Sequence, residues 1–309
     1  MAFTAKDVQN LREQTGAGMM DCKKALSASD GDYEKAIEFL REKGLAAAAK
    51  KAGRVAAEGM AYAYVCPKCG VGVLVEVNAE TDFVAKNEKF TKFVECVAHV
   101  IINNDPADLD ALMALPYPET GRTVLEEQQD KVLTIGENIR IRRFVRYCNK
   151  TMNVAYIHAG GKIGVLVGLE VSDNLRGNEA VEELGRDICM QIAAMNPQWL
   201  DRTQVPTEVI DKEKEILLVQ TVNEGKPAAV AEKIVNGRIG KFYEENCLVD
   251  QAFVKENKIS VSKHAAKVAA ELGGEIKIAR FARFEKGEGI EKREDNFAEE
   301  IAKLAGGNK

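Results

Sequence analysis

The 309-residue sequence is short of several things, and each shortage removes a class of answer. No apolar run approaches the roughly 20 residues of a membrane span, and the N-terminus lacks the apolar core of a signal peptide. There is no basic surplus: a formal net charge of -5 argues against a general nucleic-acid binder, whose footprint is basic. Cysteines number seven, an odd count without repeating spacing, which suits a reducing cytosol better than a disulfide framework. The three histidines, His99, His158 and His264, have no Cys, Ser or carboxylate at catalytic spacing and read as structural. No G-x-x-x-x-G-K-[ST] loop occurs, so the chain has no phosphate cradle of its own. Gly70-Val-Gly-Val-Leu-Val lacks the third glycine and following helix of a dinucleotide fingerprint. The expectation is a cytoplasmic protein with no membrane or nucleic-acid partner, no cofactor, no metal and no covalent chemistry. Its length allows two or three domains.

What is present centres on residues 73–87. Val73-Leu74-Val75-Glu76-Val77 reads as a buried strand, and Phe90, Phe93, Val94, Val97, Val100 and Ile101 mark one face of a following helix. Thr81 is a good N-cap between them, which puts Asp82 and Phe83 at the start of the helical region. A carboxylate there complements the helix dipole. Phe83 has two readings: a staple into the core, or a side chain held out for another molecule.

Residues 1–44 predict three short helices. Thr4 and Asp32 cap the first and third, and Gly44 marks the third helix's end. Met19 and Met20 cannot both enter so small a core; one is core, or both form an adaptable surface. Residues 45–57 are Ala-rich and basic and read as a helical or flexible linker. The rest contains a duplication. Gly72-Val-Leu-Val recurs at Gly164 (164 − 72 = 92), and Ile139 to Tyr147 recurs as Ile276 to Phe284 (276 − 139 = 137). Each copy predicts a hairpin, helices and a returning strand, an α+β arrangement of antiparallel sheet and helices. The first copy spans 58–150 and the second 151–199 with 247–285. The extra 137 − 92 = 45 residues lie at 200–246 and predict an inserted antiparallel helical hairpin, a short coiled coil. It either covers a sheet or contacts a partner or second subunit. Residues 286–309 predict a C-terminal module whose helix carries Phe297, Ile301 and Leu304.

At the turn where the first copy has Thr81-Asp82-Phe83, the second has Ser172-Asp173-Asn174. A staple required by the unit should tend to appear in both copies, so this contrast favours the outward reading of Phe83. Arg140, Arg142, Arg143 and Arg146 alternate across a strand and form no single stripe. No stacking aromatics accompany them as in an RNA-recognition sheet, so they read as solvated or ion-paired. Cys66-Pro-Lys-Cys69-Gly supplies half of a tetrahedral zinc site. Free thiols, redox pairing and a shared metal all remain open for it.

Two stretches carry a resemblance. Leu11-Arg-Glu-Gln-Thr-Gly-Ala-Gly-Met-Met-Asp-Cys-Lys-Lys-Ala-Leu26 and Thr81-Asp-Phe-Val-Ala-Lys-Asn87, in that order, closely resemble the elongation factor Ts family, and the likeness runs from residue 3 to about 303. It implies a guanine-nucleotide exchange factor for elongation factor Tu, with a ubiquitin-associated-like three-helix domain and two related core subdomains. It also implies that Thr81, Asp82, Phe83 and Val84 press on the partner's magnesium region. Arg12, Met19 and Met20 would grip the partner through the N-terminal domain, and His158 would touch it from the second hairpin. The Cys66–Cys69 pair departs from the common family pattern. A peptide-binding adaptor and a ribosome- or RNA-binding protein are the rival readings.

Overall fold

The computed structural model describes residues 3–15, 17–225 and 227–291. Three helices come first: α1 (Ala5–Thr15), α2 (Met19–Ala28) and α3 (Tyr33–Lys51). Thr4 and Asp7 cap each other, the Asp7 N–H donating to Thr4 Oγ1 at 3.3 Å and the Thr4 N–H to Asp7 Oδ2 at 2.7 Å. Asp32 accepts the Lys35 N–H at 3.1 Å. Val8, Leu11, Cys22, Ala25, Leu26, Ala36 and Leu40 close a small core of their own.

The first copy follows as β1 (Glu58–Val65), β2 (Gly72–Ala79), α4 (Asp82–Ala85), α5 (Glu88–Asn104), α6 (Leu109–Ala114), α7 (Val124–Ile135) and β3 (Arg140–Tyr147). The second runs β4 (Met152–His158), β5 (Ile163–Val171), α8 (Glu179–Met195), α9 (Thr207–Asn223), α10 (Ala228–Asn246), β6 (Ala252–Phe253), β7 (Glu256–Ser260), α11 (Val261–Glu271) and β8 (Ile276–Glu285). The sheets β1-β2-β3 and β4-β5-β8 are both antiparallel. Each central strand is an apolar run because both its faces are covered. Val73, Val75 and Val77 meet α5, while Leu74 looks toward the other sheet with Ala61, Ala63 and Leu166. Val165, Val167 and Leu169 meet α8 in the same way. The layers run helix, sheet, sheet, helix, which is the expected α+β class.

The two sheets interlock through a reciprocal pair of glycines. A Cβ on Gly72 would stand 2.7 Å from Leu166 Cδ1, and one on Gly164 would stand 2.5 Å from Leu74 Cδ1. The missing side chain in each sheet makes room for the leucine of the other. The ladder also slips at matching places, between Glu76 and Val77 and between Gly168 and Leu169.

Three expectations need correction. The third helix does not end at Gly44: α3 continues to Lys51, so residues 45–51 are helix and only 52–57 connect it to β1. The cause is close packing of α3 on α7. A Cβ at Gly44 would sit 3.8 Å from Gln129 O and from Leu133 Cδ2, and Lys51 Nζ donates to Gly136 O at 2.6 Å. That contact offsets the roughly 1 kcal/mol a mid-helix glycine costs. Arg142 and Arg143 do not point to opposite faces either. The slip leaves Arg142 without a partner residue, and both guanidiniums reach Glu76. Nor does the inserted hairpin lie across a sheet. α9 and α10 pack on each other along Ile210, Thr221, Ala231, Val235 and Ile239, rooted at Trp199, Val205 and Cys247. The C-terminal residues Phe297, Ile301 and Leu304 lie outside the described residues. No helix among the described residues is long and apolar enough to cross a membrane.

Candidate functional site

β2 ends at Ala79, and the chain turns at once into the single helical turn α4, capped by Thr81 Oγ1 accepting the Val84 N–H at 3.4 Å. Asn87 then caps α5 by accepting the Lys89 N–H at 2.9 Å. The expected helix start is therefore two caps in succession, with Asp82 and Phe83 on the isolated turn between them. The turn is held from behind by Glu137, in the loop before β3. Its Oε2 accepts the N–H groups of Glu80 and Thr81, each at 3.0 Å, and its Oε1 accepts the Thr81 hydroxyl at 2.6 Å. Glu80 returns the contact by accepting the Asn138 N–H at 2.6 Å. Sequence reading missed Glu137; an acidic residue opposite a capping threonine, 56 residues away, carries no local pattern.

The side chains of this turn divide sharply. Val84 is 8% exposed and belongs to the core of the first copy, as Leu175 at the matching turn belongs to the second at 2%. Val84 is thus the staple of the turn, which presents Asp82 and Phe83 outward. Phe83 is 81% exposed, more than any other large apolar residue among those described. Thr81 is half-buried and occupied by its cap and by Glu137. Asp82 Oδ2 lies 2.9 Å from Lys86 Nζ. The hydrogen bond and charge of Lys86, with Lys286 adding a further positive field, hold the Asp82 carboxyl below the usual carboxylate range.

Other expected residues fall at the same end or on the three-helix unit. Lys286 pairs with Glu58 at the start of β1, and its N–H donates to Lys162 O at 2.9 Å. Gly161, in the β4–β5 turn, packs on Met60. His158 stands exposed at the end of β4, its Nδ1 3.0 Å from Tyr156 Oη. The β4–β5 turn and the chain after β8 therefore flank the start of β1, which pairs with the end of β2 from which Phe83 departs. Arg12, Met19 and Met20 are all exposed on α1 and α2. Neither methionine enters the small core, at 55% and 62% exposure. His99 lies against Tyr64 and His264 stacks on Phe253, with ring centroids 5.2 Å and 4.1 Å apart. Among the described residues no three His, Cys, Asp or Glu side chains gather as a metal site.

The family model described as Elongation factor TS matches residues 80–288, which include this turn, the first copy from α4 onward and the whole second copy. Curated relatives extend the match to nearly the whole chain. The elongation factor Ts of Syntrophotalea carbinolica is 52% identical over 305 residues, 98% of this chain and 99% of the relative. That of Clostridium kluyveri is 49% identical over 303 residues, 97% and 98% of the two chains, and that of Clostridium perfringens strain SM101 is 50% identical over 305 residues, 98% and 99%. The chain belongs to the elongation factor Ts family. The residues before 80 and after 288 lie outside the family model's span, and the curated relatives, matched over 97–98% of the chain, extend over nearly all of them.

Proposed function

We propose that this chain is a guanine-nucleotide exchange factor that binds elongation factor Tu with GDP, disturbs its magnesium and phosphate site, and releases GDP during translation elongation in the cytoplasm. The observation that carries the proposal is Phe83: a large apolar side chain, 81% exposed, on a turn whose folding needs are met by Val84, Thr81 and Glu137. Exposing it costs hydrophobic free energy, about 2 kcal/mol for a side chain of this size, with no return within the monomer. A partner cavity supplies the return. Asp82 stands beside it with an ionised carboxylate, the type of group that competes for a magnesium shell.

The mechanism is a linkage. If the factor weakens GDP binding by some ratio, GDP weakens the factor by the same ratio. Phe83 acts by entering a nucleotide site that is distorted or empty. Glu137 is a positioning residue that holds the turn while this happens. Arg12, Met19 and Met20 supply attachment to a helix of the partner, and His158 adds a contact from the neighbouring turn. The factor makes and breaks no covalent bond and holds no nucleotide, metal or cofactor of its own. Release of fluorescent GDP from purified elongation factor Tu, with and without this protein, tests the reading. Acceleration at substoichiometric factor is expected. Unchanged release, with binding intact, would leave an adaptor rather than an exchange factor.

A further inference from the structure

The opposite end of the β1–β2 hairpin, roughly 26 Å away for eight residues of strand, carries Cys66 and Cys69. Residues 66–70 form one closed turn. Cys66 O accepts the Gly70 N–H at 2.8 Å, and the Cys66 N–H donates to Val71 O at 2.9 Å. Gly70 ends the turn at φ 70°. Within this turn the Cys66 sulfur accepts a hydrogen bond from the Cys69 side chain, so the two sulfurs face each other, the approach required by a disulfide, whose Cβ atoms stand about 3.5–4.5 Å apart. The turn is anchored from across the molecule: Asn153 Nδ2 donates to Gly70 O at 2.8 Å and to Cys148 O at 2.9 Å. Cys69 is exposed and Cys66 half-buried, so both are reachable.

The seven cysteines fall into two groups. Cys22, Cys189 and Cys247 are buried and Cys96 half-buried. Burial pushes all four thiols up, Cys247 to about 11. Cys66 goes the other way, lowered by the side chain of Cys69 and by the N–H groups of Cys69 and Lys68. Cys148 is lowered by the Lys150 N–H and by Arg280, whose Nη2 lies 3.8 Å from the sulfur, but no second cysteine shares its turn.

We propose that Cys66 and Cys69 form a dithiol site that reacts with low-molecular-weight disulfides of the glutathione type and closes to an intramolecular disulfide. The Cys66 thiolate attacks one sulfur of oxidised glutathione, forming a mixed disulfide and expelling one glutathione thiolate. Cys69 gives its proton to solvent and attacks the Cys66 sulfur, expelling the second. The protein loses two hydrogens and is oxidised by two electrons; one glutathione disulfide is reduced to two thiols. Among the described residues a zinc ion at this turn finds only two ligands from one chain, and it needs four. The proposal does not rest on the exchange reading, since the site lies at the other end of the sheet.

The test treats the reduced full-length protein with oxidised glutathione at neutral pH, alkylates the remaining thiols and maps the products by mass spectrometry. The wild type should lose two hydrogens through a Cys66–Cys69 bond, with Cys22, Cys96, Cys189 and Cys247 alkylated. Cys69→Ser should trap a glutathione adduct on Cys66. A Cys148→Ser background keeps the third accessible thiol out of the readout. A persistent Cys66 adduct in the wild type, or Cys96 reacting as fast as Cys66, would overturn the proposal. So would zinc surviving dialysis at one ion per two chains while shielding both thiols from alkylation, which would make the pair a metal bridge between copies.

Discussion

The two copies of the core share a plan down to single residues, and three of their single-residue departures gather at one end. In both, an asparagine caps a 17-residue helix, Asn87 for α5 and Asn178 for α8. Both helices end on a left-handed residue, Asp105 at φ 49° and Asn196 at φ 46°. Arg143 lies over the Phe284 ring at 4.2 Å, and Arg280 lies over Tyr147 at 4.1 Å, each arginine stacking on the other copy's aromatic. Three positions break the symmetry: Glu76 stands opposite Gly168, Phe83 opposite Asn174, and Glu137 opposite Gly274. At Gly274 a Cβ would meet Ser172 Oγ at 2.5 Å, and that serine accepts the Glu275 N–H instead. What the copies share builds the fold. Of what only the first copy has, Phe83 and Glu137 belong to its exposed turn, while the Cys66–Cys69 pair lies at the other end of the hairpin.

Glu76 should give the largest effect on stability. It is fully buried and accepts from Arg143 Nε at 2.6 Å, Gly287 N–H at 2.8 Å, Arg142 Nη1 at 3.0 Å and Asn78 Nδ2 at 3.1 Å. It thereby ties the first sheet to the chain after β8. Burial alone would raise its carboxyl, but these donors outweigh burial and hold it below the usual range. A folded value below the unfolded one, about 4.3, gives stability that is present above that pH and lost as pH falls through the folded value. Glu76→Gln should cost about 3 kcal/mol at neutral pH and flatten the acid limb of the stability curve. Urea unfolding of both proteins at neutral and acid pH checks this. An unchanged acid slope would mean that Glu76 is not the titrating group.

Phe83→Ala should act on coupling more than on attachment. Truncating a buried interface aromatic commonly costs about 2 kcal/mol, and if that loss falls on the empty state alone the coupling drops roughly thirtyfold. Asn174→Ala, the same position in the other copy, should leave it unchanged. Affinities for nucleotide-free and GDP-bound elongation factor Tu, measured separately, decide the matter. If both fall by a common factor, Phe83 is an anchor and the mechanism fails.

Much of this was legible in the residues. The capping signals at Thr4, Asp32 and Thr81, the apolar period of α5 and the repeated strands are local patterns, and each appears where its pattern lies. The asymmetry at Phe83 could be read by setting the copies side by side. What escaped depends on contacts distant in sequence. Gly44 looked like a stop signal because its reason for staying helical is α7, and Arg142 looked misdirected because a bulge is invisible to strict alternation. Glu137 escaped for the same reason: the groups it holds are on another element.

Glu137→Gln is the next test of the asymmetry. Glutamine keeps one acceptor oxygen where glutamate presents two, so at least one of the three bonds to Glu80 and Thr81 is lost, at about 1.5 kcal/mol for a bond to a charged group. The turn would loosen while Val84 stays in the core. GDP release should slow about tenfold, with the affinity for nucleotide-free partner changing less than the rate. Glu137→Asp, which restores the charge on a shorter arm, should recover part of the loss. Equal loss in both variants, together with lowered stability, would reduce Glu137 to a structural residue.

The smallest effect is expected where the second copy exceeds the first. The first copy passes from α5 to α6 through a short link, so a hairpin is no requirement of the plan. Its two ends are nevertheless built in. Trp199, Val205, Ile210, Ile239, Phe242, Tyr243 and Cys247 form one cluster at the root, and Asn246 O accepts the N–H groups of Gln198 and Trp199. Removing residues 206–243 would take Ile210, Ile239 and Phe242 with it. Replacing only residues 212–237 by a short Gly/Ser turn spares that cluster apart from Leu217. The removed half exposes Leu218, Val219, Val222 and Val230, apolar surface that the monomer leaves uncovered. The sheets should therefore melt within about 4 °C of the full chain, corresponding to roughly 1 kcal/mol in a protein of this size. Any loss should appear in association instead, either as a lower mass by light scattering if two copies meet here, or as weaker binding to elongation factor Tu if the partner does. A fall of ten degrees or more would place the distal half in the core, and the duplication would no longer explain why the first copy folds without it.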